Sequence, residues 1–253
     1  MEVICPQEPR NLVVGVIVDQ DRPEHCDLGI GVVGEGQKNH SGVTIFLEPR
    51  LWIAYGPLAR RNSMTVVYKL TDTYKRTHGG FGRWEARAEF TAPGGGKMCS
   101  DAYLHAYADP ILAVLMNPVH ANFVWPRMFE CEANVEQDDG TKLGCTRIKV
   151  LREIEAPQVT REQATKFGIL AAKAVYHEPK WNRWAEDWLS GKDRSARAVR
   201  ATRCLGVAAA AASAANAMAA NGMAAKGAAA RAAKMAATET PIDLVAIAKE
   251  AVQ

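Results

Sequence analysis

Tyrosine and histidine side chains alternate near the centre of this 253-residue chain. Tyr103, His105 and Tyr107 are each separated by one residue, so an extended backbone would place all three on one face. Aromatic and imidazole groups gathered in this way are typical of a site that binds a small ligand. These three residues are therefore the first candidates for function.

A capped helix is predicted directly after this alternation. Asp109 precedes a proline, and this pair is typical of a helix start, because the carboxylate accepts from free N–H groups and proline needs none there. Asn117 and Pro118 predict the end of the apolar run, and His120 follows. The predicted ligand-binding pocket around this helix consists of Tyr103, His105, Tyr107, Asp109, Asn117 and His120.

The same histidines could instead bind a metal ion together with cysteines. Zinc needs three or four converging ligands, and the spacing of His105, His120 and Cys131 matches no zinc template. We therefore expect no metal and no other cofactor. A cysteine nucleophile would need a histidine close in space, which spacing does not decide, so no residue is assigned a catalytic role. Hydrogen-bonded, partly buried histidines are the structural alternative.

A basic segment follows in the C-terminal part, where an arginine recurs every three residues. On an α-helix these steps spread the side chains over about half of the circumference, and no aromatic platform accompanies them. They form either a solvated polar face or a contact surface for an anionic partner. That partner would be an acidic protein or, weakly and without sequence specificity, a nucleic acid. The arginines are Arg194, Arg197, Arg200 and Arg203.

Alternating apolar residues predict a sheet in the middle of the chain. Two such runs, 127–136 and 142–151, flank Asp138-Asp139-Gly140, which is a strong hairpin signal. We expect an α+β fold, in which a small mixed or antiparallel sheet is followed by an alanine-rich helical region. The expected divisions are a poorly structured N-terminal extension (1–63), an α+β domain (64–156) and a helical alanine-rich region (157–253).

Helical signals dominate after residue 157. Thr160 and Gln163 fit a capping box, in which each side chain satisfies a free backbone N–H. Three tryptophans then recur at helical spacing, and such a stripe is expected to pack in the core. They are Trp181, Trp184 and Trp188.

Alanine supplies 19 of the 31 residues from 207 to 237, which predicts helices that approach closely because their side chains are small. Gly222 and Gly227 predict a break in this run. Thr240 and Asp243 fit a second capping box that opens the last helix. The run contains almost no Leu, Ile or Phe, so we expect no membrane association.

The composition, 48% hydrophobic and 23% charged, is typical of a soluble globular protein. No cysteines are closely paired, so we expect reduced thiols and a cytoplasmic location. Gly29, Gly31 and Gly34 have the spacing of a dinucleotide-binding fingerprint. The fingerprint needs a strand directly before it and a helix at the glycines, and neither is predicted, so the match is attributed to chance.

The chain from Met64 onward resembles an uncharacterised family of phage and bacterial proteins. The resemblance rests on VYKLTD (67–72), LHAYADPILAVLMNP (104–118), FECE (129–132) and VLREI (150–154). The tail with DRSARAVRA (193–201) resembles alanine-rich helices attached to such domains and to immunity proteins. The resemblance implies a non-catalytic interaction protein of phage or mobile-element type. The alternative is an enzyme that acts on a nucleotide-like small ligand in the pocket between Tyr103 and His120.

Overall fold

We describe the protein from a computed structural model, which places residues 64–80, 82–201 and 204–253 and the backbone of four short strands before them. Contacts divide the chain into two compact units, Met1–Arg60 and Arg61–Gln253. The first unit contains two antiparallel ribbons. They are β1 (Val13–Val18) with β2 (Cys26–Gly31), and β3 (Gln37–Lys38) with β4 (Thr44–Ile45). Apart from these four strands, residues 1–63 lie outside the described part of the chain. The prediction of a poorly structured extension over 1–63 therefore stays a prediction.

The second unit contains a five-stranded antiparallel sheet, which confirms the predicted α+β class. The central hairpin forms at the predicted aspartates, because the Asp139 carboxylate accepts from the N–H groups of Thr141 and Lys142 and fixes the turn. The strands are β5 (Thr65–Thr71), β6 (Glu89–Thr91), β7 (Leu104–Ala106), β8 (Arg127–Asp138) and β9 (Leu143–Ile154).

Strand β7 closes the sheet on itself. It pairs with β9 along its full length, and the next residue, Tyr107, exchanges two backbone hydrogen bonds with Tyr68 of β5 at 2.8 and 2.9 Å. Because β5 also pairs with β8, and β8 with β9, the four strands form a closed circuit. An apolar cluster fills one face of this circuit, and Trp84, Phe129 and Ile148 are its largest buried members.

The opposite face of the sheet packs against the helices. Leu70 and Met128 belong to one continuous core with the helical region, which is why the helices lie on the sheet. The helices are α1 (Pro110–His120), α2 (Arg161–Val175), α3 (Pro179–Leu189), α4 (Ala196–Ala201), α5 (Gly206–Ala219), α6 (Ala224–Glu239) and α7 (Leu244–Val252).

Two predictions about the helical region are confirmed. Thr160 and Gln163 form the capping box that starts α2. Trp181, Trp184 and Trp188 are at most 6% exposed and anchor α3 in the core. The buried face of α2 contains Phe167 and Ala171, whereas Ala174 is exposed.

The predicted end of α1 at Asn117 and Pro118 is wrong, because the helix continues to His120. A proline in the last turn removes only one helical hydrogen bond. Asn122 provides the actual stop: it adopts a left-handed conformation with φ of 52°, and its N–H donates to the Asn117 carbonyl at 2.7 Å.

Two predictions near the C-terminus are also corrected. Asp243, and not Thr240, caps α7, and its carboxylate accepts from the N–H of Ala246. Gly227 lies inside α6, where neighbouring alanines sustain the helix, whereas the predicted break forms around Gly222. Within the described residues, no helix is long and apolar enough to span a membrane.

Candidate functional site

A cavity of about 270 Å³ lies among β5, β7 and the C-terminal end of α1. Lysine and histidine side chains are the most numerous polar groups in its lining, which also contains two phenols, Thr77 and Ser100. Asp101 is the one acidic residue in that lining, so the cavity favours an anionic occupant. The basic residues are Lys69, His78, His105, His120 and Lys142, and the phenols are Tyr103 and Tyr107.

Four of the six predicted ligand-binding residues line this cavity: Tyr103, His105, Tyr107 and His120. The other two, Asp109 and Asn117, are absent from the lining and hold α1 in place.

Asp109 accepts hydrogen bonds from the N–H groups of Ile111 and Leu112 at 2.8 and 3.2 Å, as expected for a helix cap. Lys249 of α7 lies 3.5 Å from its other oxygen. The buried Asn117 side chain donates to the Phe123 carbonyl at 2.9 Å and accepts from its N–H at 3.1 Å. This pair of bonds fixes the chain that leaves α1.

His120 and Tyr107 form a hydrogen-bonded pair at the cavity. The Tyr107 hydroxyl lies 3.1 Å from His120 Nδ1, and the two rings stack with centroids 5.8 Å apart. Burial, together with the positive charges of Lys142 and Lys234, lowers the pKa of His120 to about 4, so the ring is neutral at pH 7. Within the described part of the chain, the buried Nε2 atom of His120 has no hydrogen-bond partner. It can therefore donate to or accept from a ligand.

His105 and Tyr103 line the same cavity, but protein groups already occupy their polar ends. His105 Nε2 contacts the Met98 carbonyl, and burial lowers the pKa of the ring. The Tyr103 hydroxyl donates to Glu136 at 3.1 Å, and burial followed by this carboxylate raises its pKa. These two side chains shape the cavity more than they offer free hydrogen-bonding groups.

Lys69 is the candidate residue that the sequence analysis missed. The residue is half-buried, and its amine donates to the His105 carbonyl at 2.5 Å and lies 5.2 Å from the centroid of the Trp84 ring. Burial lowers the pKa of Lys69 to about 8, although Cys145 and Cys131 oppose this change. The sequence feature that could have revealed Lys69 is its place in β5. Lys69 and the buried Val67 are two residues apart and therefore share one face of this strand.

The neighbouring cysteines are poor nucleophiles. Burial raises the pKa values of Cys131 and Cys145 to about 12, so both thiols stay protonated at neutral pH. No group of three or more potential metal ligands occurs among residues 64–80, 82–201 and 204–253. The buried residues near the cavity therefore offer an amine, two phenols and two imidazoles for chemistry.

A second, more open groove of about 560 Å³ is lined by basic residues that are already paired with carboxylates. Lys75 and Arg127 both contact Glu153, at 3.5 and 2.5 Å. Asp72 and Glu85 pair with the other two, Arg76 and Arg83, at 2.9 and 2.7 Å. This neutralisation makes the groove a weaker anion site than the cavity.

Fewer arginines are available for the predicted contact surface than the sequence pattern indicated. Arg194 packs over the Trp188 ring at 4.7 Å and pairs with Glu162 at 2.6 Å, so it holds α3 and α2 together. Arg197 and Arg200 are exposed on α4. Arg203 lies outside the described residues.

Comparisons of the chain with protein-family models, with curated proteins and with solved structures find no match. The resemblance to a phage and bacterial family therefore stays a prediction.

Proposed function

We propose that the protein is a binding protein, and that it holds a small anionic molecule in the cavity among β5, β7 and α1. The observation that carries this proposal is the lining, where the Lys69 and Lys142 amines face one aspartate and the imidazole groups supply further hydrogen-bonding atoms. A carboxylate or a phosphate would neutralise this set and would accept hydrogen bonds from it.

The size of the cavity narrows the class of ligand. A volume of about 270 Å³ lies at the lower end of known ligand pockets, so it suits a single metabolite and excludes a dinucleotide. The stacked Tyr107 and His120 rings provide an aromatic wall, and the unpartnered Nε2 atom of His120 can bond a polar group of the ligand. A small carboxylic acid or a nucleotide fragment fits these features.

General acid–base catalysis has less support than binding. The pKa of His120 lies too low for a base that works near pH 7. Asp109 caps α1, and Glu130 pairs with Arg152 at 3.0 Å, so neither carboxylate is available as the partner of a catalytic histidine. The Tyr107–His120 hydrogen bond at the cavity favours the enzyme alternative, because it orients the imidazole toward a ligand.

Binding can be measured by calorimetry with the full chain and glycolate or inorganic phosphate. Lys142→Met should weaken binding by about tenfold or more, because one charge-assisted hydrogen bond is lost. Lys149→Met is the matched control, since Lys149 is exposed on β9 and is absent from the cavity lining. Equal affinities for the two variants would contradict the proposed site.

An independent contact surface is proposed at Arg197 and Arg200. Both are exposed, and an acidic protein would complement them. If duplex DNA is the partner, two phosphate contacts should give a slope of about −2 in log affinity against log salt. Titration of labelled DNA at low salt tests this, with Arg197→Gln/Arg200→Gln as the variant. Absence of binding would leave the acidic protein as the partner to test.

A further inference from the structure

The Lys69 amine has more hydrogen-bond donors than its surroundings can satisfy. A protonated amine carries three donors, and the His105 carbonyl is its one hydrogen-bond acceptor in the described part of the chain. None of the ion pairs between described residues includes Lys69. Its other close neighbour is the face of the Trp84 indole, 5.2 Å away. A lysine whose amine is withdrawn from water only for stability would be expected to have a carboxylate partner.

These surroundings favour the neutral amine, which carries a lone pair and is a nucleophile. Burial lowers the pKa of Lys69 to about 8, so roughly a quarter of the amine is neutral at pH 7.5, against about 0.1% for an ordinary lysine. The two thiols nearby stay protonated and do not compete as nucleophiles. The lowered pKa and the position in the cavity lining set Lys69 apart from the surface lysines.

The cavity supplies the other half of a reaction site. Lys69 is part of its lining, and so are Lys142, which can hold an anionic group, and His120, whose Nε2 atom can form a hydrogen bond to the carbonyl oxygen of a ligand. A nucleophilic amine next to an anion site is suited to carbonyl compounds that also carry a carboxylate or a phosphate.

We propose that Lys69 forms a reversible imine with a small aldehyde or ketone whose anionic group occupies the basic part of the cavity. This inference rests on the proposed function, since the same lining binds the anion, and it adds the class of ligand and a covalent step. Candidate compounds are 2-oxo acids and phosphorylated aldehydes.

The step needs no oxidant or reductant. The Lys69 lone pair forms a bond to the carbonyl carbon, the C=O double bond becomes a single bond, and the first amine proton passes to the carbonyl oxygen, which gives a carbinolamine. Loss of the second amine proton and of the hydroxyl group as water then forms the C=N bond. One amine and one carbonyl thus become one imine and one water, and hydrolysis reverses the sequence.

Reductive trapping tests the proposal on the full chain. The protein is incubated with glyoxylate and cyanoborohydride, and the modified lysines are located by peptide mass spectrometry. We expect a carboxymethyl adduct on Lys69 at least tenfold faster than on any surface lysine at pH 7.5. Lys69→Arg should lose this fast adduct, whereas Lys149→Met should keep it. Glycolate, which has no carbonyl, should slow the labelling of Lys69 alone.

The possible outcomes distinguish a failure of the imine proposal from a failure of the proposed anion-binding site. If calorimetry shows Lys142-dependent glycolate binding but Lys69 is labelled no faster than surface lysines, the imine is refuted and the proposed function stands. If glycolate neither binds nor protects Lys69, both proposals fail. Fast labelling at Lys69 that glycolate suppresses supports both.

Discussion

At the level of single residues, the cavity combines the buried phenols of Tyr103 and Tyr107 with the half-buried Lys69 and Lys142. Tyr103, His105 and Tyr107 could be found because their alternation is a local pattern. Lys142 could not, and Lys69 left only its register in β5 as a signal, because the cavity forms through the pairing of β7 with β9 and the bridge from Tyr107 to Tyr68 of β5. Those pairings join residues far apart in the chain, and no local pattern encodes them.

Lys69→Met is expected to stabilise the protein at pH 7. Folding moves the pKa of this amine from 10.5 to about 8, so keeping it protonated in the folded state costs on the order of 1–3 kcal/mol. Methionine has a similar shape and no charge to bury. Urea unfolding of the wild type and the variant at pH 7 measures the difference.

The pH dependence of this difference follows from the sign of the pKa shift. Between pH 8 and 10.5 the unfolded wild type binds more protons than the folded one, so the wild type gains stability as the pH rises. The advantage of the methionine variant should therefore shrink over that range. An advantage that is independent of pH would show that the amine is not buried.

At the level of elements, helix caps and buried apolar stripes could be predicted from the sequence. The close packing of one helix against another could not. The capping box of α2 and the tryptophan stripe of α3 are local signals with direct physical causes. The continuation of α1 through Pro118 depends on Asn122, whose left-handed conformation becomes a stop signal only when the following chain is placed. The role of Gly168 depends on a helix about 60 residues later, so it had no local signal.

Gly168→Ala should destabilise the contact between α2 and α6. A Cβ atom at Gly168 would lie 2.8 Å from Ala229 Cα and 3.1 Å from its carbonyl oxygen, and backbone cannot move aside easily. The clash should outweigh the gain in helix propensity of about 1 kcal/mol. Thermal melting of the variant should show a lower midpoint.

Gly227→Ala provides the matched control inside α6. Its Cβ would meet only the end of the flexible Arg231 side chain at 3.6 Å, so the propensity gain of up to about 1 kcal/mol should raise the melting midpoint. Changes of the same sign in both variants would contradict the packing of α2 on α6.

Trp184→Ala should lower the free energy of unfolding by about 3–5 kcal/mol, because a large buried aromatic is removed from the core. Trp125→Ala is the control with the same change of residue, since Trp184 is 6% exposed and Trp125 is 76% exposed. Denaturant unfolding compares the two. A loss that is equal in both would mean that the α3 tryptophans do not anchor the helix.

At the level of the whole molecule, stability should fall in mild acid. The unfolded chain binds a proton at His120 near pH 6.5, whereas burial delays this in the folded state until about pH 4. The unfolded state therefore binds more protons between these values, and stability is lost as the pH falls from 6.5 toward 4. Lys142, Lys234 and His105 act in the same direction on His120, and Asp139 opposes them.

His120→Gln should flatten this acid dependence, because glutamine takes up no proton. His177→Gln is the control, since His177 is exposed. Urea midpoints between pH 7 and 4.5 provide the measurement. An acid slope that His120→Gln leaves unchanged would place the responsible groups elsewhere.

The closed circuit of strands also bears on aggregation. An uncovered strand edge can recruit a strand of another chain, and β7 covers β9 along residues 143–145 and β5 at Tyr68. Association through those edges requires the three-residue β7 to detach first. The same short strand carries His105 and lies between two cavity tyrosines. A ligand in the cavity would hold β7 in place, so occupancy would protect the protein from edge-to-edge aggregation as well as from unfolding.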